Sequence, residues 1–316
     1  MQFQPIIPFE PIKTEDIPTG ENWIFQVKWD GVRLLTYYDG KDVQLFNRKK
    51  NERTFHYPEL TDIRSFCKAD SVILDGEVIA LGIDGKPSFH EVMRRDGIRR
   101  LERVSHLRNS VPVTYMIFDI IFYNGEWMND FRLEERLKLL SDLIIPGNAV
   151  QLVPSFGNGQ LLYQAIEQQE LEGMVIKDLN SKYVINGKNA SWQKKKNYND
   201  LIAVVAGVTF RSGIVNSLLL GLYDQKGRLW YIGHAGSGKM KSTEWRQLTE
   251  KINHLKTNNN PFFNNPARIK EAVWIKPKLT VKVHFLEWTE GHELRQPVIQ
   301  AFVNVPPSKC VFDEKE

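Results

Sequence analysis

Cysteine is scarce. Cys67 and Cys310 are the only two in 316 residues, too few for a disulfide framework or a thiolate metal site, so a reducing compartment is the default expectation. No apolar run approaches the length that crosses a bilayer, and Met1-Gln2-Phe3-Gln4-Pro5 lacks the charged and apolar regions of a signal peptide. The expected location is therefore the cytoplasm, away from any membrane. An excess of one charge is missing too: 42 Lys+Arg against 38 Asp+Glu give a net charge of +4 and a pI near 8.8. That mild basicity admits a polyanionic partner without requiring one. Neither an internal repeat nor a low-complexity tract occurs. His90-Glu91-x-x-Arg94 lacks the second histidine of a zinc protease, and the Gly233–Lys239 stretch fits a phosphate-binding loop only until Met240, where a Ser or Thr belongs. That stretch also sits among strand-like segments, so it reads as a Gly-rich basic loop.

What is present is an ordinary globular composition, 42% hydrophobic and 25% charged, on a chain long enough for two domains. Residues 1–20 read as a proline-rich extended arm. From 23 to 80 apolar and polar residues alternate, with turn signals at Asp39-Gly40 and Asp75-Gly76, the pattern of antiparallel strands. Residues 88–109 fit a helix, Val113–Phe122 a buried strand, Leu133–Leu143 and Leu161–Gln169 amphipathic helices, and Met174–Ile176 a strand. Another strand is expected to begin at Trp192. Near Asn197-Tyr198-Asn199-Asp200 the character shifts to short strands (201–210, 218–223, 229–234, then within 272–304) around one helix at 242–256. Such an arrangement suits a small barrel of the OB type. The boundary is expected near 200, giving domains 1–200 and 201–316.

Chemistry concentrates first in Gln26-Val27-Lys28-Trp29-Asp30-Gly31-Val32-Arg33. A lysine fixed between two strand-like runs can be desolvated, and neighbouring cations lower its ordinary pKa of about 10.4, the conditions of a lysine nucleophile. The same letters also describe a surface hairpin whose Asp-Gly is only a turn. Elsewhere the residues by themselves read plainly: Arg48 as part of a solvated basic turn, Asp75-Gly76-Glu77 as a β-turn, Phe118 more often as core, and Glu172 as a turn glutamate. In Trp192-Gln193-Lys194-Lys195-Lys196 a strand would set Lys194 and Lys196 on one face, where they can hold a phosphate and depress the pKa of Lys28.

Taken together, in this order, these segments resemble the nucleotidyl-transfer motifs of ATP-dependent DNA ligases and mRNA-capping enzymes. Arg211-Ser212-Gly213, Gly221-Leu222-Tyr223-Asp224, Trp274-Ile275-Lys276-Pro277 and Glu287-Trp288-Thr289-Glu290-Gly291 with Leu294-Arg295-Gln296-Pro297 resemble the OB domain of the bacterial ligases that serve non-homologous end joining. The resemblance implies an α+β fold: a mixed antiparallel-sheet nucleotidyltransferase (adenylation) domain followed by an OB-fold β-barrel domain. It implies that Lys28 takes AMP from ATP, with Lys194 and Lys196 on the α-phosphate. Gln26, Val27, Arg33, Arg48, Glu77, Phe118 and Lys177 are implied as ATP contacts, Glu77 at the ribose hydroxyls and Phe118 against adenine. Gln26 stands where many of these ligases carry glutamate, and it would accept from the adenine amine through its carbonyl oxygen. Arg33 and Arg48 would hold the 5′-phosphate of the nick, Arg295 would orient the pyrophosphate, and Glu172 would bind Mg²⁺, for which Mn²⁺ can substitute. The implied partners are nicked double-stranded DNA, Ku and a repair polymerase, the implied state is a monomer, and the OB domain would rotate about residues near 200 between steps.

Overall fold

The structure is a computed structural model that describes residues 3–236, 240–264, 271–289 and 291–312. The chain divides into two compact units, Met1–Asn197 and Tyr198–Glu316.

The first unit is built on two sheets. In chain order its strands are β1 (Glu10–Lys13), β2 (Trp23–Val27), β3 (Val32–Tyr38), β4 (Val43–Asn47), β5 (Val72–Ile79), β6 (Thr114–Tyr123), β7 (Glu126–Trp127), β8 (Val150–Leu152), β9 (Gly173–Asp178) and β10 (Lys188–Lys196). One sheet runs β1-β10-β9-β2; the other runs β4-β3-β5-β6-β7, with β8 parallel to β6. Helices α1 (Phe89–Asp96), α2 (Val104–Ser110), α3 (Leu133–Leu143) and α4 (Gly159–Gln168) cover them. β2 and β3 belong to different sheets, and the segment Lys28–Gly31 is the short link between them. The lysine therefore sits where the two sheets part. Gly31 is required there: a Cβ would lie 2.2 Å from the Val78 carbonyl oxygen on β5.

Several details depart from the sequence expectation. Asp75-Gly76-Glu77 is not a turn but the middle of β5. Gly76 serves close packing, since a Cβ would stand 2.5 Å from the Tyr115 ring, and the β5–β6 register slips at that point. The helix expected over 88–109 is two. Ser88 caps α1 by accepting from the Glu91 amide, and Gly97 ends it, its N–H donating to the Met93 carbonyl. The chain then resumes as a 3₁₀ turn, Leu101–Arg103, that runs into α2. β10 starts four residues before Trp192, because part of the N-terminal arm pairs with it as β1, Glu10 opposite Lys188. Pro11 is tolerated on that edge strand, which needs fewer N–H donors.

The second unit is a five-stranded sheet in the order β13-β12-β11-β14-β15, with β11 Asn199–Arg211, β12 Ile214–Tyr223, β13 Leu229–Ala235, β14 Val273–Phe285 and β15 Val298–Val303. A bridge between Gly236 and Val298 joins the two edge strands and closes the OB barrel. Helix α5 (Ser242–Ile252) is shorter than the 242–256 expectation and passes into a 3₁₀ turn at Asn253–Leu255. It buries Trp245, Leu248 and Ile252 against the barrel, one apolar residue per turn along a single face. Of the Gly-rich loop, Ser237–Lys239 lies outside the described residues, as does Glu290 of the 287–291 segment. Among the described residues no helix is long and apolar enough to cross a membrane.

Candidate nucleotide-binding and nucleotidyl-transfer site

Lys28 follows β2, and its backbone N–H donates to the Gly173 carbonyl oxygen at 2.9 Å. β9 therefore sits between Lys28 on one side and the lysines of β10 on the other, with Lys194 opposite Val175 and Lys196 opposite Gly173. Gly173 allows this closeness, adopting φ +149° with the Lys195 carbonyl oxygen 2.3 Å from where a Cβ would stand. The strand alternation then sorts the three lysines of β10. Lys195 turns away, donating to the Glu15 carbonyl and lying over the Tyr163 ring. Lys196 faces the site, its ammonium 3.9 Å from Glu172 Oε1. Lys194 is near enough to Lys28 that, after burial, the Lys28 charge is the main influence lowering its pKa.

Lys28 Nζ donates to Glu172 Oε1 at 2.6 Å, with side chains 23% and 3% exposed. Here the sequence expectation needs correcting. Burial does act to lower the Lys28 pKa, but Glu172, followed by Glu77 and Asp30, outweighs it, so the pKa is raised, not depressed. In this state Lys28 is a protonated ammonium paired with a carboxylate. Glu77, nearly opposite Arg33 across β3–β5, is pushed up to about 8, first by burial and despite the Lys28 and Arg33 charges. A carboxyl so placed is held ready for hydrogen bonding to a ligand instead of being neutralised by a fixed cation.

Glu172 Oε2 is buried without a hydrogen-bond partner, an uncommon state for a carboxylate oxygen. Among the described residues no group of three or more His, Cys, Asp or Glu side chains could hold a metal ion. The donor set fits a hard cation that takes one protein carboxylate and completes its shell with phosphate oxygens and water, the habit of Mg²⁺.

Ile79, Met116 and Val153 form a small buried apolar cluster, with Trp29 and Phe118 packed against it. Phe118 is fixed from within: Arg33 lies 5.3 Å and the Lys177 ammonium 4.4 Å from its ring centroid, and the Trp192 ring meets it edge-on at 6.2 Å. Gln26, 2% exposed, donates from Nε2 to Ser155 Oγ at 3.0 Å. That bond commits the amide nitrogen and leaves the carbonyl oxygen for a ligand. Ser155 and Trp29 had no sequence signal of their own; Ser155 lies 129 residues from Gln26. Replacing Ser155 with alanine is expected to raise the KM for ATP in lysine adenylation about five- to tenfold, the worth of one hydrogen bond, and to narrow the preference over GTP. Equal KM values in variant and wild type would contradict this.

Other expected site residues sit differently. Arg33 is a half-buried bidentate partner of the buried Asp75, Nε–Oδ1 2.9 Å and Nη2–Oδ2 2.6 Å, with the Tyr183 hydroxyl donating to the same carboxylate. Its guanidinium therefore orders Phe118 and Asp75 first, and the free phosphate grip expected from the sequence is not its arrangement here. Lys177, 1% exposed, lies against Phe118 and 4.0 Å from the Trp192 ring, so it supports the Phe118 ring. Val27 ends β2 opposite Met174 and packs with Phe25 and Leu162. Arg48 is exposed at the end of the β3–β4 hairpin, 3.4 Å from Glu10. In the second unit Arg295 is exposed and paired with Glu287.

Lys177 carries a pH signature. Burial lowers its pKa to about 7; Asp119 and Asp75 offset only part, since Arg136 and Arg33 already neutralise them. Unfolded, the amine titrates near 10.5. Between these values the unfolded chain holds one more proton than the folded one, so stability rises with pH from about 7 toward 10.5. Wild type should therefore gain Tm relative to Lys177→Met between about pH 7 and pH 9.5; parallel Tm curves would contradict the assignment.

Comparison with known proteins agrees with this geometry. The family model described as "ATP dependent DNA ligase domain" matches residues 11–196, and "ATP dependent DNA ligase C terminal region" matches 211–303. The multifunctional non-homologous end joining DNA repair protein LigD of Mycobacterium tuberculosis (strain ATCC 25618 / H37Rv) is 33% identical over 283 residues, 87% of this chain and 35% of that protein. The SPbeta prophage-derived DNA ligase-like protein LigB of Bacillus subtilis (strain 168) is 33% identical over 190 residues, 60% of this chain and 66% of that one. A solved structure of mycobacterial DNA ligase D complexed with ATP and MES superposes with a TM-score of 0.73 at 28% identity, covering 98% of each chain. The chain spans about a third of the length of the LigD proteins it matches. A lysine on the link between two sheets, facing a buried glutamate and flanked by β10 lysines, is thus part of a chain that belongs to the ATP-dependent DNA ligase family.

Proposed function

We propose that this chain seals nicks in duplex DNA through an adenylate carried on Lys28. The observation that carries the reading is the Lys28–Glu172 pair at 2.6 Å, with Lys194 and Lys196 on β10, Gln26 on β2 and Phe118 on β6. Lys28 Nζ must lose its proton, then attack the α-phosphorus of ATP: a P–N bond forms and pyrophosphate leaves. Lys194 and Lys196 offset the charge that grows on the α-phosphate. Phe118 stacks on adenine, Gln26 accepts from its amine, and Glu77 accepts from the ribose hydroxyls. Glu172 would hold a Mg²⁺ ion, which would supply neutralisation of phosphate charge. The AMP then passes to the 5′-phosphate at the nick, and the 3′-hydroxyl displaces it as the new phosphodiester forms.

The LigD relatives are named for non-homologous end joining, and we extend the proposal to break repair in the cytoplasm, with Ku and a repair polymerase as partners. Sealing of a DNA nick, compared with nicks carrying RNA on either strand and with GTP in place of ATP, tests the acceptor and the donor. The proposal expects ATP and DNA to be preferred; faster sealing of RNA-containing nicks would overturn the choice of DNA.

A further inference from the structure

In the first unit, arginine is held by acid almost everywhere. Arg33 pairs with Asp75, Arg53 with Asp96, Arg94 with Glu91, Arg95 with Glu59 and Arg136 with Asp119. Arg48 and Arg132 make exposed pairs, and Arg64 donates to the Tyr38 hydroxyl. The exceptions fall together. Arg99, Arg100, Arg103 and Arg108 are all exposed, and none has a carboxylate within ion-pair reach among the described residues. They occupy the end of the α1–α2 link, the 3₁₀ turn and α2. The nearby acids do not compensate them: Glu91 holds Arg94, while Asp96 accepts from Arg53 and from the Tyr57 hydroxyl. Exposed Glu102 is the one acid between Gly97 and Ser110.

The excursion that carries this cluster is rooted beside the nucleotide site. Residues 80–113 form an excursion between β5 and β6, and the strand ends from which it departs and returns, Ile79 and Thr114, are paired in the sheet. Glu77 lies two residues inside that end, about 7 Å away along the strand. The start of the excursion is tied down beside Glu172, where Lys86 Nζ meets Glu170 Oε2 at 2.9 Å. The partner chemistry follows from the side chains. Guanidinium groups engage phosphate oxygens two at a time. No Phe, Tyr or Trp occurs from His90 to Ser110, so the surface offers no large aromatic platform for a base and suits contact with the backbone.

We propose that Arg99, Arg100, Arg103 and Arg108 form a phosphate-backbone contact surface that grips duplex DNA outside the nick itself. This rests on the ligase reading and adds a part of the footprint to it. Uncompensated charge on such a surface lengthens the bound duplex without adding sequence preference, and it makes binding salt-dependent through counterion release.

The test uses the full chain with all four residues changed, Arg99→Gln, Arg100→Gln, Arg103→Gln and Arg108→Gln, and a second chain carrying lysine at the same positions. The probe is nicked duplex DNA with a dideoxy 3′ end that cannot be sealed, in arms of different length. The glutamine variant should flatten the log–log salt dependence of nick binding by roughly 2–4, near one unit per lost phosphate contact, and weaken affinity at least about tenfold at ~0.1 M salt. It should also bind long-armed and short-armed nicks alike, where wild type prefers long arms. The lysine variant should keep most of the affinity, and lysine adenylation by the glutamine variant reports an intact fold. An unchanged salt slope and arm-length dependence would overturn the proposal. So would nick binding as in wild type combined with lost binding to anionic phospholipid vesicles or to polyglutamate. Failure of wild type to take up adenylate from ATP is a separate result, which removes the ligase reading.

Discussion

Lys28→Arg should keep the fold and lose lysine adenylation by more than about 10⁴-fold, the scale on which removing a nucleophile acts. Arginine preserves the positive charge facing Glu172, so the 2.6 Å pair has a partner and the site electrostatics stand. What disappears is an amine that can give up its proton: guanidinium keeps its charge throughout the accessible pH range. The variant therefore separates nucleophile from counter-ion, which alanine cannot do, because alanine also leaves Glu172 buried and unpaired. ATP binding by equilibrium dialysis should change far less than adenylation. Adenylation within tenfold of wild type would mean that another group carries the adenylate.

The second large effect is on stability. Asp119 and Arg136 are both fully buried and bonded twice, at 2.7 and 3.0 Å, and Arg136 also donates to the Phe131 and Ser181 carbonyls. Asp119 is the residue after Phe118, so this pair holds the strand that presents the ring. Asp119→Ala strands a buried guanidinium and should cost about 3–5 kcal/mol in urea unfolding of the first unit. Arg132→Ala supplies the contrast. Its pair with Glu134 is half exposed, and its loss should be below about 1 kcal/mol. Equal losses in the two variants would contradict the account of how Phe118 is held.

Much of the site was legible because strands have a fixed period. Lys194 and Lys196 were separable from Lys195 by alternation alone, and the structure turns Lys195 to the other face. The links between distant segments were not legible. Glu172 is 144 residues from Lys28, and only the register of β9 against β2 brings it there. That register reverses the expected sign of the Lys28 pKa shift. The nearby cations were visible in sequence, whereas the carboxylates that outweigh them arrive from three separate segments. Asp75 was misread for a related reason. Acid-Gly-acid is turn chemistry locally, but Tyr115 packing against Gly76 keeps the strand continuous and turns Asp75 inward to hold Arg33. Ser155 shows the limit most plainly, since nothing local marks one exposed serine as the acceptor that orients a buried glutamine.

The reading as a whole stands or falls on the passage of one adenylate from lysine to DNA. Wild type charged with α-³²P-labelled ATP and magnesium, freed of nucleotide, and then given nicked duplex should show label on the protein in a denaturing gel. That label should move to the 5′-phosphate strand and then be released as AMP when the strand is joined. Label that forms on Lys28 but leaves only on addition of pyrophosphate, never on addition of nicked DNA, would contradict it.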